Sequence, residues 1–338
     1  MNAIPPRTGA SRTVSTAGDE FHDDLGDRRG LDPAFIKALT RLDPLRSTLS
    51  VLQTWLEIAV LLALAVLFPE WWVVAPCMVL LATRAQALFV LSHEAVHYRL
   101  YETRWLNDLV GRICATPVGI SMFAYRVIHR LHHNHLFGRQ DPDTPIHGGY
   151  PRGRAYLAGK LLKDVAGLTA WKTYAYFWGA PSAARIDGQK TDPLGDTSPK
   201  LRRDALNDRW AVAGFHLALP AAALAFGFFI EYLLLWAIPL WFLLQPLMRF
   251  RSILEHGMTT ETGDAWRDAR TNLGPGWLMW LIFPHNVHYH LEHHLYPSLP
   301  HYNLPKAHRA LRAGGLLEGA EVRPVGYAAR LAWGTPGG

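Results

Sequence analysis

Four apolar runs, arranged as two tight pairs, constrain this 338-residue chain more than any other feature. Residues 49–68 hold the run IAVLLALAVLF, and a second run over 71–91 follows after only Pro69 and Glu70. The pattern repeats over 211–230 and 232–250, with Glu231 marking the turn and Pro239 and Pro246 as expected kinks. Each run is close to the roughly 20 residues that a helix needs to cross a bilayer. Backbone in hydrocarbon must satisfy its own hydrogen bonds, so such runs fold as helices. Two hairpins with short outer turns return the chain to the same side of a membrane. Trp71 and Trp72 fit an interfacial belt at the first turn. Glu57 and Arg84 interrupt the first pair, both toward one end, where they either snorkel or face protein.

Hydrophobic residues make up 49% of the chain, yet the mean hydropathy is only +0.01, because apolar blocks alternate with very polar ones. The net charge of +6 would point to nucleic acid in a soluble protein. Beside membrane spans it points instead to loops facing anionic lipid headgroups, and no nucleic acid is expected. The middle loop carries Arg152, Arg154, Lys160, Lys163, Lys172, Lys190, Lys200, Arg202 and Arg203. The positive-inside rule puts that loop, and with it both termini, in the cytoplasm. Cys77 and Cys114 give no disulfide framework.

Residues 1–30 lack the apolar core of a signal peptide and read as a disordered tail. A membrane domain is expected over 31–312 and a second tail over 313–338. Residues 31–48 read as a short helix with Pro33 near its start. Residues 105–128 are apolar but broken by Pro117 and Gly119, which predicts an interfacial or re-entrant helix pair. Residues 156–180, rich in Trp and Tyr, predict a helix on the membrane surface.

All the expected turns leave three histidine clusters on one side. His93 and His97 lie in HEAVH; His129, His132 and His133 lie in HRLHH; His290, His293 and His294 lie in HLEHH. Residues i, i+3 and i+4 share one helical face, so each cluster aims its imidazoles at one point. Eight such rings are more than one ion commonly takes, and two ions are the economical reading. Neutral imidazole suits zinc, copper, iron and nickel. HEAVH is also HExxH, in which two histidines hold zinc and Glu94 would act as base, but a zinc protease leaves both HxxHH clusters unexplained. A membrane metal carrier would need a polar path inside the spans, and the third and fourth spans have no internal acidic residue.

Other polar residues near the clusters keep two readings. Asp141, Asp143 and Asn286 either accept N–H bonds from the clustered histidines or shape turns. His135 is either an outer partner or a solvated loop residue, and His288 is expected to point away. His22, His147, His216, His301 and His308 read as structural or surface residues.

The three clusters and their order relative to the spans resemble the membrane fatty acid desaturase superfamily. The stretches RVIHRLHHNHLFGRQDPDT and NVHYHLEHHLYPSLPHYNLP resemble bacterial acyl-lipid desaturases in particular, and the likeness runs over about residues 45–312. The resemblance implies an all-α integral membrane protein: a four-helix, two-hairpin domain with a cytoplasmic helical diiron cap, in a bacterial-type inner membrane. It implies two irons held by His93, His97, His129, His132, His133, His290, His293 and His294, with His256 in LEHG as the ninth ligand. Ser252 stands where some acyl-CoA desaturases have an asparagine, leaving water or Glu255 to complete one iron. The implied reaction is O2-dependent desaturation of an acyl chain, carried by a lipid or an acyl carrier. Hydroxylation or ketolation of a lipid or carotenoid on the same site is the alternative. The chain has no flavin, dinucleotide or haem motif, so electrons are expected from a separate ferredoxin or b-type cytochrome with its reductase.

Overall fold

The computed structural model describes residues 30–179, 185–186, 189–190, 194 and 197–334. The tail expected over 1–30 lies outside them except for Gly30, and His22 and residues 335–338 lie outside them too. A short helix and a long one open the described chain. Asp32 caps α1 (Pro33–Leu39) and Asp43 caps α2 (Pro44–Leu67), each carboxylate accepting two backbone N–H groups ahead of a proline that has none to offer.

The α2 helix turns at Phe68–Glu70 into α3 (Trp71–Val96). From Leu81 onward α3 is buried on every side, which suits a helix that is apolar all round. It is the central post of the fold. Arg84 and Glu57 face protein: they pair at 2.8 Å, and the guanidinium lies 3.7 Å from the Trp280 ring centroid. The α3 helix also runs on through the first histidine cluster. His93 is its last-turn residue and His97 its C-cap.

Next come α4 (Arg104–Ala115), a 3-10 turn over Thr116–Val118, and α5 (Met122–Asn134). They form the expected helix pair, but α5 lies inside the protein, buried from Ala124 through His129. Arg126 ties it to the end of α3, donating to Ala95 O at 2.9 Å and Val96 O at 3.2 Å. A short turn of helix, α6 (Thr144–His147), follows. The single surface helix expected over 156–180 is two helices, α7 (Arg154–Val165) and α8 (Ala170–Phe177), with Gly167 at positive φ between them.

The second apolar pair departs from expectation. The α9 helix (Pro199–Ala225) starts well before residue 211 and stops at Ala225; the chain turns at Phe226–Phe228, where Gly227 has φ +80°, and Glu231 sits inside α10 (Phe229–Tyr232). The turn went to the glycine because only glycine adopts that backbone without strain. Beyond α10 come two π-helical turns, Leu233–Ala237 and Pro239–Leu243, and then α11 (Leu244–His256). His256 therefore ends this helix instead of following it. Among the described residues three helices are long and apolar enough to cross a membrane: 44–67, 71–96 and 229–256. The charged first turns of α9 keep it below that standard.

Four further helices follow, α12 (Ala265–Asp268), α13 (Gly276–Ile282), α14 (His290–Leu295) and α15 (Leu304–Ala313), the segment expected as a cap. The stretch 313–338, expected as a tail, is folded through residue 334. Val322–Pro324 pairs in parallel with Thr271–Leu273, and α16 (Val325–Ala332) packs against α11. Buried Val325, Ala328 and Ala332 explain why it is held.

Candidate metal centre

Four elements deliver the nine sequence-predicted histidines. The C-terminal end of α3 brings His93 and His97; α5 brings His129, His132 and His133; α11 brings His256; and α14 brings His290, His293 and His294. The rings sort into two groups. His93, His97, His129, His133 and His293 form one; His132, His256, His290 and His294 form the other, and within each group the nearest ring nitrogens all lie within 4.8 Å of one another. One helix feeds both groups because positions 129 and 133 share a face, while 132 is turned toward α11.

The distances fit a metal better than a hydrogen-bond network. His93 Nε2 lies 2.7 Å from His129 Nε2, His133 Nε2 lies 3.0 Å from His129 Nε2, and His93 Nε2 lies 3.3 Å from His97 Nε2. In the second group His256 Nε2 is 2.8 Å from His290 Nε2 and 3.3 Å from His132 Nε2. A neutral imidazole has one N–H and one acceptor nitrogen. Several acceptors meeting at one buried point cannot all be satisfied by one another, whereas a cation satisfies them together. Burial, reinforced by neighbouring rings, holds His129, His133, His290, His293 and His294 well below the usual histidine range, so they are neutral and able to bind metal. The all-nitrogen donor set fits iron as the family implies, and imidazole suits zinc or copper equally.

Outer partners fix two rings of the second group. His132 Nδ1 lies 3.0 Å from Asp141 Oδ1, and His256 Nδ1 donates to Asp268 O at 2.9 Å, which leaves both Nε2 atoms facing the group. Burial alone would lower His132, but the carboxylates of Asp141 and Asp143 raise it to about 9. Asp141 is pulled down to about 2 against its own burial, by His132 and by backbone N–H bonds. Asp141 also accepts from the N–H groups of Phe137 and Asp143 and from the Thr144 hydroxyl, so it both orients a histidine and shapes the turn. Burial and the neighbouring Asp141 raise Asp143 to about 6, and Asp143 accepts from the Tyr176 hydroxyl.

The acidic residues inside the clusters point outward. Glu94 Oε2 accepts the backbone N–H of His301 at 2.7 Å and lies 3.3 Å from its Nδ1, while His301 Nε2 reaches Ser50 Oγ at 3.0 Å. Glu292 lies 2.6 Å from His308 Nδ1 and accepts from the Thr271 hydroxyl. Glu94 is thus engaged as a strut between α3 and the cap. Its geometry, with His93 and His97 among five histidines, speaks against the zinc-protease reading. His301 and His308 are structural, as expected, but buried.

The remaining residues find plain roles. Asn286 has φ +61° and donates to His301 O at 3.3 Å, so it shapes a turn. His288 is buried beside Tyr289 and outside both groups. His135 is half-buried and also outside them. His216 Nε2 lies 2.9 Å from Thr116 O. Glu255 is outside both groups and faces Arg251 at 3.4 Å. His147 is the surprise: it is fully buried, its ring stacks 4.6 Å from that of His256, and it forms a third cluster with His132 and Asp141. No helical spacing links position 147 to a cluster, so only the fold places it there.

A cavity of about 470 Å³ abuts both groups, lined by His93 and His129 on one side and His132, His256 and His290 on the other. Phe89, Val90, Ile128, Met248 and Val287 supply apolar wall, and Lys160, half-buried, and Lys172, exposed, also line it.

Residues 69–325 match the family described as fatty acid desaturase. An sn-1 acyl-lipid omega-3 desaturase (ferredoxin) of Nostoc sp. is 25% identical over 297 residues, covering 82% of this chain and 74% of the relative. An sn-1 oleoyl-lipid 12-desaturase of Picosynechococcus sp. is 22% identical, covering 92% and 88%. A dihydrorhizobitoxine desaturase of Bradyrhizobium elkanii is 26% identical, covering 73% and 70%. With three quarters of its length matched and its histidines gathered as two groups at one cavity, the chain belongs to the fatty acid desaturase family.

Proposed function

We propose that this protein is an integral-membrane, O2-dependent acyl-lipid desaturase. The observation that carries the reading is the convergence of nine histidines from distant elements into two adjacent groups on one cavity. His93, His97, His129, His133 and His293 would hold one iron, and His132, His256, His290 and His294 the other. The pair of irons supplies the oxidising power, drawn from O2, to break unactivated C–H bonds. The chain's own residues do the rest. Phe89, Ile128 and Val287 seat the chain of the substrate and exclude water from the site. Asp141 and the Asp268 carbonyl hold His132 and His256 in the orientation that metal binding needs. Removal of two hydrogens from adjacent carbons leaves a double bond.

In this reading α9 crosses the membrane as a fourth span, and the histidine cap and both termini face the cytoplasm of a bacterial-type cell. The basic residues of the middle loop support that orientation. Electrons come from a separate donor; the ferredoxin in the names of two relatives supports a ferredoxin over a b-type cytochrome. The substrate is an acyl chain on a lipid or carrier. The test is lipid mass spectrometry of cells making this protein with a ferredoxin system, against a His290→Ala control. Lipids lacking two hydrogens are expected in the first and absent in the second. Lipids with an added oxygen would turn the reading to hydroxylation, and an unchanged profile would overturn both.

A further inference from the structure

The cavity wall is not wholly the apolar surface that an unadorned hydrocarbon chain would need. Arg251, on α11 five residues before His256 ends it, is only 9% exposed and lines the cavity. Its Nε and Nη1 have no hydrogen-bond partner. Among the described residues its ion-pair partner is Glu255, whose Oε1 lies 3.4 Å from Nε, beyond good hydrogen-bond length, and is itself without a hydrogen bond. Gln245, also buried and also on this wall, donates its amide to Leu240 O at 2.8 Å and leaves its Oε1 unpartnered. Phe89 offers only its ring, 5.3 Å from the guanidinium.

These groups are costly where they stand. A buried polar atom without a partner loses its hydration for nothing. A guanidinium cannot shed its proton to escape the cost, and its flat fork of donors suits an oxygen pair. Arg251, Glu255 and His256 of α11 line the cavity as buried residues, whereas Lys160 is half-buried and Lys172 exposed.

We propose that Arg251 is a substrate-binding residue that pairs, inside the cavity, with a carboxylate or carbonyl oxygen of the substrate head. The inference rests on the desaturase reading for the identity of the chain that follows the head. Its consequence is that the oxidised carbons lie close to that oxygen, not far down an acyl tail. The less buried lysines serve entry and leave the final position to Arg251.

The experiment uses the full chain, iron-loaded, in lipid nanodiscs. The probes are decanoate and decyltrimethylammonium, which share a chain and differ in the sign of the head. Wild-type protein should bind decanoate at least about tenfold more tightly, the scale of one charge-assisted hydrogen-bonded pair. Arg251→Met should abolish that preference, while Lys172→Met retains it, and iron content should stay equal in all three. Should Arg251→Met fail to fold, Arg251→Gln removes the charge and keeps a polar side chain. No preference in the wild type, or a preference that survives loss of the Arg251 charge, overturns the proposal. A preference lost only in Lys172→Met does so too and puts the head at the mouth. If decanoate binds through Arg251 but cells make no unsaturated lipid, the desaturase reading fails while this site stands. If unsaturated lipid forms with its double bond remote from the carbonyl and the Arg251 variants make it equally well, the reverse holds.

Discussion

The two histidine groups come from the same motifs but are built differently. The first has five rings and the second four. In the second, His132 and His256 are each held by an oxygen from outside, Asp141 and the Asp268 carbonyl. In the first, His93 and His129 have no such partner at Nδ1, and the rings stand mainly against one another. Three of the four second-group rings line the cavity, against two of the five in the first. The group with fewer donors is thus the better oriented and the more exposed to substrate.

The largest effects should come from removing a ring from either group. His293→Ala and His290→Ala should each cut desaturation by more than about a hundredfold, since outer hydrogen-bond partners alone are worth roughly ten- to a hundredfold. Metal analysis would break the comparison if one variant kept two irons per chain and full turnover. A narrower cut is Asp141→Asn, which leaves every ring in place. It should weaken metal binding about ten- to a hundredfold at the second group only, read as a biphasic metal titration where the wild type is uniform. A uniform loss would show that the groups share their support.

Glu94→Ala probes the first group, where the neighbouring carboxylate is hydrogen-bonded as a strut to His301 and stands 3.8 Å from His93 Nδ1, too far for a hydrogen bond. It should cost about 1–3 kcal/mol of stability, the price of an unsatisfied buried donor at His301, and leave two irons bound. Loss of metal from the first group alone would make Glu94 its missing support. The smallest effect at neutral pH lies outside both groups. His285, half-buried against Thr54 and His301, is pushed down to about 3, first by loss of hydration. Its unfolded-state value is about 6.5. The unfolded chain therefore holds the extra proton between these values, and stability falls as pH drops from about 6.5 toward 3. Thermal melts of His285→Gln should show that slope reduced by one proton.

Much of this site was legible in the sequence because metal chemistry writes itself in helical spacing. His129, His132 and His133 follow from i, i+3, i+4, and so do His290, His293 and His294. What spacing cannot say is how rings from different motifs combine, so the division that puts His132 with His256 had to await the fold. His147, Arg251 and the Glu292–His308 contact carry no periodic signal at all; they meet the site only through tertiary packing. The first hairpin was legible because uniform apolar runs leave few alternatives. The second was misjudged at its turn, since Glu231 is a conspicuous charge but Gly227 is the residue that can take φ +80°. The C-terminal helix was missed because its apolar face is only Val325, Ala328 and Ala332, too faint against a Gly-rich background.

The two π turns before α11 set the angular phase of everything after them. Each π turn carries one residue more than the α-helical turn it replaces, and one residue of helix is about 100° of rotation. Residues 233–243 therefore work as a dial, tuned so that Arg251 and His256, a full span away from the loop, come round to the interior. Losing a single leucine from that stretch would barely alter its length or its oiliness. It would leave a helix equally content in lipid, with its histidine facing the wrong way.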